Sequence, residues 1–316
     1  MSTRAKLGLL ASIVIVIAVA LTWTKILMPR PDIVIGGKDF TEQSILGEML
    51  AILVEENSDL TVARKLYLGG TMICFNALRS GDLDLYAEYT GTGLVNILKR
   101  EVISDPGKAY AAVKKGFGEE YSLVWLKPLG LNNTYTLTMR KKQAEELGFR
   151  TFSDLAAHLR KQRETGASDR LVAGFNAEFL ERPDGYRGLS KVYSLEFAAQ
   201  PKQMDTGLMY KACADEDVDV ICGFATDGRI AAYGLVTLED DRKFFPPYYA
   251  APLVRAQTLA KHPELEEILN RLAGKLDNET MRKLNLQVDR EKDPRQARDV
   301  ARNFLIRHGL IPVGGG

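Results

Sequence analysis

Between residues 32 and 98, short apolar runs alternate three times with helix-like segments, and glycines stand at most of the junctions. Residues 32–35 read as a buried strand. Residues 41–56 carry Ile45, Met49, Ile52 and Leu53 at helical spacing, with Asp39 or Thr41 placed to cap the helix. A second strand spans 61–68, Gly69-Gly70-Thr71 opens a helix through Leu78, Gly81 ends it, and a third strand covers 82–86. Connections this short leave few topologies. A βαβαβ run of this kind predicts an α/β fold with a doubly wound, largely parallel sheet. Such sheets bind ligands beyond the carboxyl ends of their strands.

Two turns at those ends carry chemistry. Tyr86-Ala87-Glu88-Tyr89-Thr90-Gly91-Thr92-Gly93 leads from the third strand into an apolar run, 94–98, read as a short helix. It brings aromatic faces, hydroxyls and free amides to one crevice. Gly36-Gly37-Lys38 precedes the first long helix, where a lysine and helix amides suit an anion of carboxylate size. It is no nucleotide loop, because Asp32 stands where the first glycine of that motif belongs and Asp39 follows the lysine.

Helix 106–118 and strand 122–126 complete the first unit. Asn132-Asn133 reads as a crossover into a second α/β unit with strand 135–139, helices 141–147 and 152–160, and a polar insertion at 161–170. Strand 171–175, a helix ending near 194, helix 204–214 and strands 218–223 and 234–238 follow. Pro246-Pro247 fixes an extended return crossover. A strand from Ala251 and helices at 255–274, 278–287 and 294–308 close the chain, with His262-Pro263 breaking the first of these helices.

Composition excludes several classes. With 42 basic and 41 acidic residues the net charge is +1, and no basic, aromatic-interleaved patch suggests a nucleic-acid partner. Cys74, Cys213 and Cys222 lack C-x-x-C spacing and His158, His262 and His308 are scattered, so no metal site or cofactor is expected. A Cys213–Cys222 bridge is allowed by the spacing but not dictated by it. Arg4 and Lys6 precede an apolar run from Leu7 to Trp23, and Ala18-Val19-Ala20 fits a small-x-small cleavage site. Residues 1–31 therefore read as an export signal or membrane anchor with a stiff linker, which places the rest outside the cytoplasm, in the periplasm or its equivalent.

No G-x-S-x-G, H-E-x-x-H or G-x-G-x-x-G occurs, so an enzyme is not expected; Glu88 and Asp227 are the acids nearest the turns. The turns hold aromatics and cations instead: Lys38, Tyr89, Thr92, Tyr135, Arg182, Phe224 and Tyr248. Aromatic faces attract a quaternary ammonium, and Lys, Arg and a hydroxyl suit a carboxylate. A trimethylammonium zwitterion, a betaine, would have both ends.

The runs Gly37-Lys38-Asp39-Phe40-Thr41-Glu42-Gln43, Gly69-Gly70-Thr71, Glu88-Tyr89-Thr90-Gly91-Thr92, Asn132-Asn133-Thr134-Tyr135, Phe224-Ala225-Thr226-Asp227-Gly228-Arg229-Ile230 and Phe245-Pro246-Pro247-Tyr248 occur in that order. Over about residues 33–310 the chain resembles the glycine betaine/carnitine/choline substrate-binding proteins of osmoprotectant ABC transporters. The resemblance implies a two-lobed periplasmic-binding-protein fold of type II. Lobe 1 would be 32–132 with 250–316, and lobe 2 would be 133–249. It further implies an aromatic cage of Tyr89, Tyr135, Phe224 and Tyr248, and a carboxylate site of Lys38, Thr92 and Arg182. The family usually has tyrosine at position 224; phenylalanine keeps the face and loses the hydroxyl. A monomer that hands a quaternary ammonium osmolyte to a membrane permease is expected. A membrane-anchored ligand-sensing ectodomain, or the same fold holding another small solute, is the alternative.

Overall fold

The computed structural model describes residues 31–166 and 170–313. The expected leader and cleavage site, and the three terminal glycines, lie outside the described residues. No helix among the described residues is long and apolar enough to cross a membrane.

The first sheet is built from β1 (Ile33–Gly36), β2 (Val62–Lys65), β3 (Leu85–Tyr89), β4 (Leu123–Trp125) and β10 (Ala250–Arg255), in the order β2-β1-β3-β10-β4. β1 pairs in parallel with both β2 and β3, as the short βα connections require. β10 is antiparallel to β3 and β4, with Ala250 opposite Tyr89. Helix α1 (Thr41–Asn57) lies between this sheet and three C-terminal helices, α11 (Glu264–Asn270), α12 (Asn278–Asp289) and α13 (Ala297–Arg307). Packed on both sides, it buries an unbroken run from Ile45 to Val54 instead of a single stripe. Truncating Leu50 or Leu53 to alanine there costs about 2–5 kcal/mol.

The second sheet holds β5 (Tyr135–Arg140), β6 (Ala173–Phe175), β7 (Lys202–Gln203), β8 (Val220–Phe224) and β9 (Leu235–Thr237), in the order β7-β6-β8-β5-β9. β5 is antiparallel to β8 and β9; β6 is parallel to its neighbours. Each sheet centres one lobe of a two-lobed, type II periplasmic-binding-protein fold. The segments joining them run side by side. Asn132 and Tyr249 form an antiparallel bridge, Asn133 N donates to Tyr248 O at 3.0 Å, and Tyr248 N donates to Asn132 Oδ1 at 2.7 Å.

Five expectations shift. β3 begins at Leu85 because the amides of Asp82 and Leu83 turn back to Ala77 O, closing α2 (Thr71–Ser80), and Asp84 N bonds Val34 O. Glu88 and Tyr89 are thus strand residues. The turn after them is a π-helix, Thr92–Ile97. The first long helix has no side-chain cap: Phe40 is its N-cap, and Thr41 Oγ1 donates to Asp289 Oδ1. Helix α5 (Phe152–Thr165), nucleated by a Thr151/Asp154 capping box, absorbs half of the polar insertion. The helix expected at 204–214 is α8 (Met209–Ala214), preceded by β7 and a turn at Asp205.

All three cysteines are free and buried, so the Cys213–Cys222 bridge that the spacing left open is not formed. Cys213 Sγ faces Asp219 O, whereas Cys222 Sγ faces Met209 Sδ and accepts from Asn176 N.

Candidate functional site

A cavity of about 400 Å³ lies between the lobes where strands of both sheets end. Lys38, Tyr89, Thr92, Tyr135, Arg182, Phe224 and Tyr248 all line it. β3 delivers Tyr89, the π-helical turn Thr92, β5 Tyr135, β8 Phe224 and the return crossover Tyr248. Arg182 ends α6 (Ala177–Glu181).

The rings form a chain. Tyr135 meets Tyr248 edge-on (5.8 Å, 86°) and tilts against Phe224 at 5.1 Å. Phe224 stacks on Phe40 at 5.5 Å and 6°, and Phe40 reaches Tyr89 at 6.3 Å. Phe40 is the link that sequence reasoning missed. It stands in the quoted run two residues after Lys38, and an aromatic residue at that strand-to-helix turn was its available signal.

Two of the rings are anchored away from the cavity by their hydroxyls. Tyr89 Oη donates to Glu42 Oε1 at 2.7 Å and accepts from Gln43 Nε2 at 3.0 Å. Tyr248 Oη donates to Asp184 Oδ2 at 2.6 Å. Burial, and the charges of Glu42 and Asp184 respectively, push both phenols well above their usual range, so they stay neutral donors.

The two cations are buried, not solvated. Lys38 Nζ pairs with Glu88 Oε1 at 2.6 Å and sits 5.1 Å from the Tyr89 centroid. Arg182, 3 % exposed, grips Asp184 through Nε (2.8 Å) and Nη2 (2.6 Å). Its Nη1 reaches Glu178 at 2.9 Å and Thr92 Oγ1 at 3.2 Å, and its guanidinium lies over Tyr135 and Tyr248 at 5.4 and 5.9 Å. Burial alone would lower the Arg182 pKa, but Asp184 and the rings' oxygens raise it well above normal. Each cation is therefore already neutralised by a protein carboxylate.

The lobes touch across this cleft. Thr71 Oγ1 donates to Glu178 Oε1 at 2.6 Å, which joins α2 to α6. Burial pushes the Glu178 pKa up, yet Arg182, Lys38 and the Thr71 hydroxyl outweigh it and hold it at about 2. Glu178 and the turn Gln203–Thr206 also line the cavity and were not singled out from the sequence, because only the folded lobe brings them there. Neither acid considered for catalysis is free: Glu88 is held by Lys38, and Asp227 pairs with Arg229 at 2.6 Å. No cluster of His, Cys, Asp and Glu suited to a metal ion occurs among the described residues.

Two α/β lobes closing on a ring-lined cavity define a solute-binding protein of the bilobal type. The chain belongs to the family described as the substrate binding domain of ABC-type glycine betaine transport systems, whose model matches residues 31–307. It is 41% identical over 285 residues to the carnitine transport binding protein OpuCC of Listeria monocytogenes, covering 89% of this chain and 88% of that one. It is 39% identical over 282 residues to a glycine-betaine-binding protein of Pseudomonas aeruginosa, covering 89% of both. Among solved structures, that of a glycine betaine/carnitine/choline ABC transporter superposes with a TM-score of 0.71 at 34% identity, over 88% of this chain and 99% of that one. The protein is thus the substrate-binding component of an ABC-type transport system. Its family consists of extracytoplasmic transport proteins, not enzymes.

Proposed function

We propose that the protein captures a quaternary ammonium osmolyte of the glycine betaine class in the interlobe cleft and delivers it to a membrane permease. The observation that carries this reading is the continuous chain of rings from Tyr89 through Phe40, Phe224 and Tyr135 to Tyr248. A methylated ammonium has no N–H to satisfy, so ring faces are its best partners, at about 0.5–2 kcal/mol each. Tyr89, Tyr135, Phe224 and Tyr248 form the cage, with Phe40 as a fifth wall. Lys38, Thr92 and Arg182 receive the carboxylate of a zwitterion. Because Glu88 and Asp184 already share those cations, the ammonium end supplies most of the affinity.

In this reading lobe 1 comprises 32–132 with 250–316 and lobe 2 comprises 133–249, and the ligand shifts the pair toward closure by its greater affinity for the closed form. The chain acts as a monomer. Its leader exports it and either is removed or tethers it beside the permease. The relatives named for carnitine and for glycine betaine support the ligand class. Calorimetric titration with glycine betaine, choline and carnitine tests it, with proline and a sugar as controls. Saturable heat with at least one quaternary amine is expected; none at millimolar concentration overturns the reading.

A further inference from the structure

Glu42, the second residue of α1, is 2 % exposed and has no cationic partner among the described residues. Its Oε1 accepts from Tyr89 Oη at 2.7 Å and from Asn133 Nδ2 at 2.9 Å. Its Oε2 accepts from Thr226 Oγ1 at 2.5 Å and from Asn285 Nδ2 at 3.4 Å. These donors stand on four separate segments: the end of β3, the outbound crossover, the turn after β8, and α12. Thr226 belongs to the second lobe and is held at three atoms, since its N donates to Asn133 Oδ1 and its O accepts from Asn285 Nδ2. The void beside this node is about 10 Å³, room for one water at most.

A buried carboxylate without a cation is an expensive way to fill a core, costing several kcal/mol before its hydrogen bonds are counted. Burial raises the Glu42 pKa against the pull of four hydrogen bonds. An apolar side chain would pack the base of α1 as well. What it would not do is bind the cage residue Tyr89 and the opposite lobe's Thr226 through one group.

We propose that Glu42 is the latch of the closed state: a positioning residue, out of reach of the ligand, that ties the orientation of Tyr89 to contact with the Thr226 turn and so sets the open–closed equilibrium. Parting the lobes removes Thr226 from Oε2 and leaves the carboxylate to solvent on that side. Affinity then scales with the fraction of molecules latched. The inference rests on the two-lobe closure described above, and its first test needs no ligand.

Small-angle scattering of ligand-free protein should show a larger radius of gyration for Glu42→Gln than for wild type. In Glu42→Gln an amide replaces one acceptor oxygen among donors. Thr226→Val, which cuts only the arm between lobes, should shift scattering in the same direction. By titration, Glu42→Gln should weaken choline binding on the order of tenfold or more, the loss of one hydrogen bond to a charged group. The double variant should be no worse than Glu42→Gln alone, because both act on one contact. A Glu42→Gln protein with lowered thermal stability but unchanged scattering and affinity overturns the proposal, as do effects of the two substitutions that simply add. If no quaternary amine binds even the wild type, the ligand reading fails on its own, and the scattering still decides the latch.

Discussion

Lys38 Nζ lies 2.6 Å from Glu88 Oε1 with both side chains shut away from solvent, although 50 residues separate them. The pair fastens the turn before α1 to the last strand residues before the π-helical turn. Glu88 also accepts from Tyr86 Oη at 2.9 Å and from Tyr89 N at 2.7 Å, so its charge is surrounded by donors.

Removing one partner of such a pair strands the other. Lys38→Met should cost about 3–5 kcal/mol of stability in chemical denaturation, whatever its effect on binding. Lys38→Met with Glu88→Gln should recover most of that loss. A single variant as stable as wild type would show the pair to be dispensable.

Phe40 is half-exposed and stacked on Phe224 of the other lobe. Phe40→Ala should leave the fold's stability nearly unchanged. It should weaken a quaternary ammonium ligand by about 0.5–1.5 kcal/mol, roughly two- to tenfold, through the lost ring contact. Titration of the variant against choline measures this.

Gly91 sits against the Tyr248 ring that lines the cavity. A Cβ there would lie 2.7 Å from Cδ1 and Cε1 of Tyr248 and 3.0 Å from Pro246 Cγ. Tyr248 cannot retreat freely, because its hydroxyl is held by Asp184. Gly91→Ala should therefore reduce ligand affinity more than it reduces the melting temperature.

The Glu178 carboxyl, held at about 2, contributes stability that is fully present above its unfolded pKa near 4.5 and is lost as pH falls toward 2. Melting temperatures between pH 5 and 2 should fall more steeply for wild type than for Glu178→Gln. Parallel curves would remove Glu178 from the acid response.

The thiols of Cys74, Cys213 and Cys222 are buried, and burial pushes each up to about 12. A thiol reagent should label none of the three in the native protein and all three in denaturant without prior reduction. Fewer than three labels in denaturant would mean that a disulfide exists.

The alternation of strands and helices between residues 32 and 98 was legible because its elements carry their own periodicity and most of its junctions carry a glycine; Gly81, left-handed at the end of α2, is one. The rings that line the cavity were legible because they fall at strand ends within runs that resemble a known family. What escaped reading depends on partners far along the chain. β10 inserts between β3 and β4 from more than 120 residues away, and nothing local announces it. Arg182 reads as a carboxylate ligand, but nothing in its spacing announces that Asp184 and Thr92 close around it. Glu42 lies in the quoted run, yet its role depends on Asn133, Thr226 and Asn285, which no spacing connects to it.

The bridge between Asn132 and Tyr249 has a mechanical corollary. Two strands bonded to each other cannot flex independently; they behave as a ribbon, stiff in its own plane and compliant only to bending and twisting out of it. The route from one lobe to the other is therefore a single coordinate instead of two loose tethers. One distance, recorded between a label on each lobe, should report the whole trajectory.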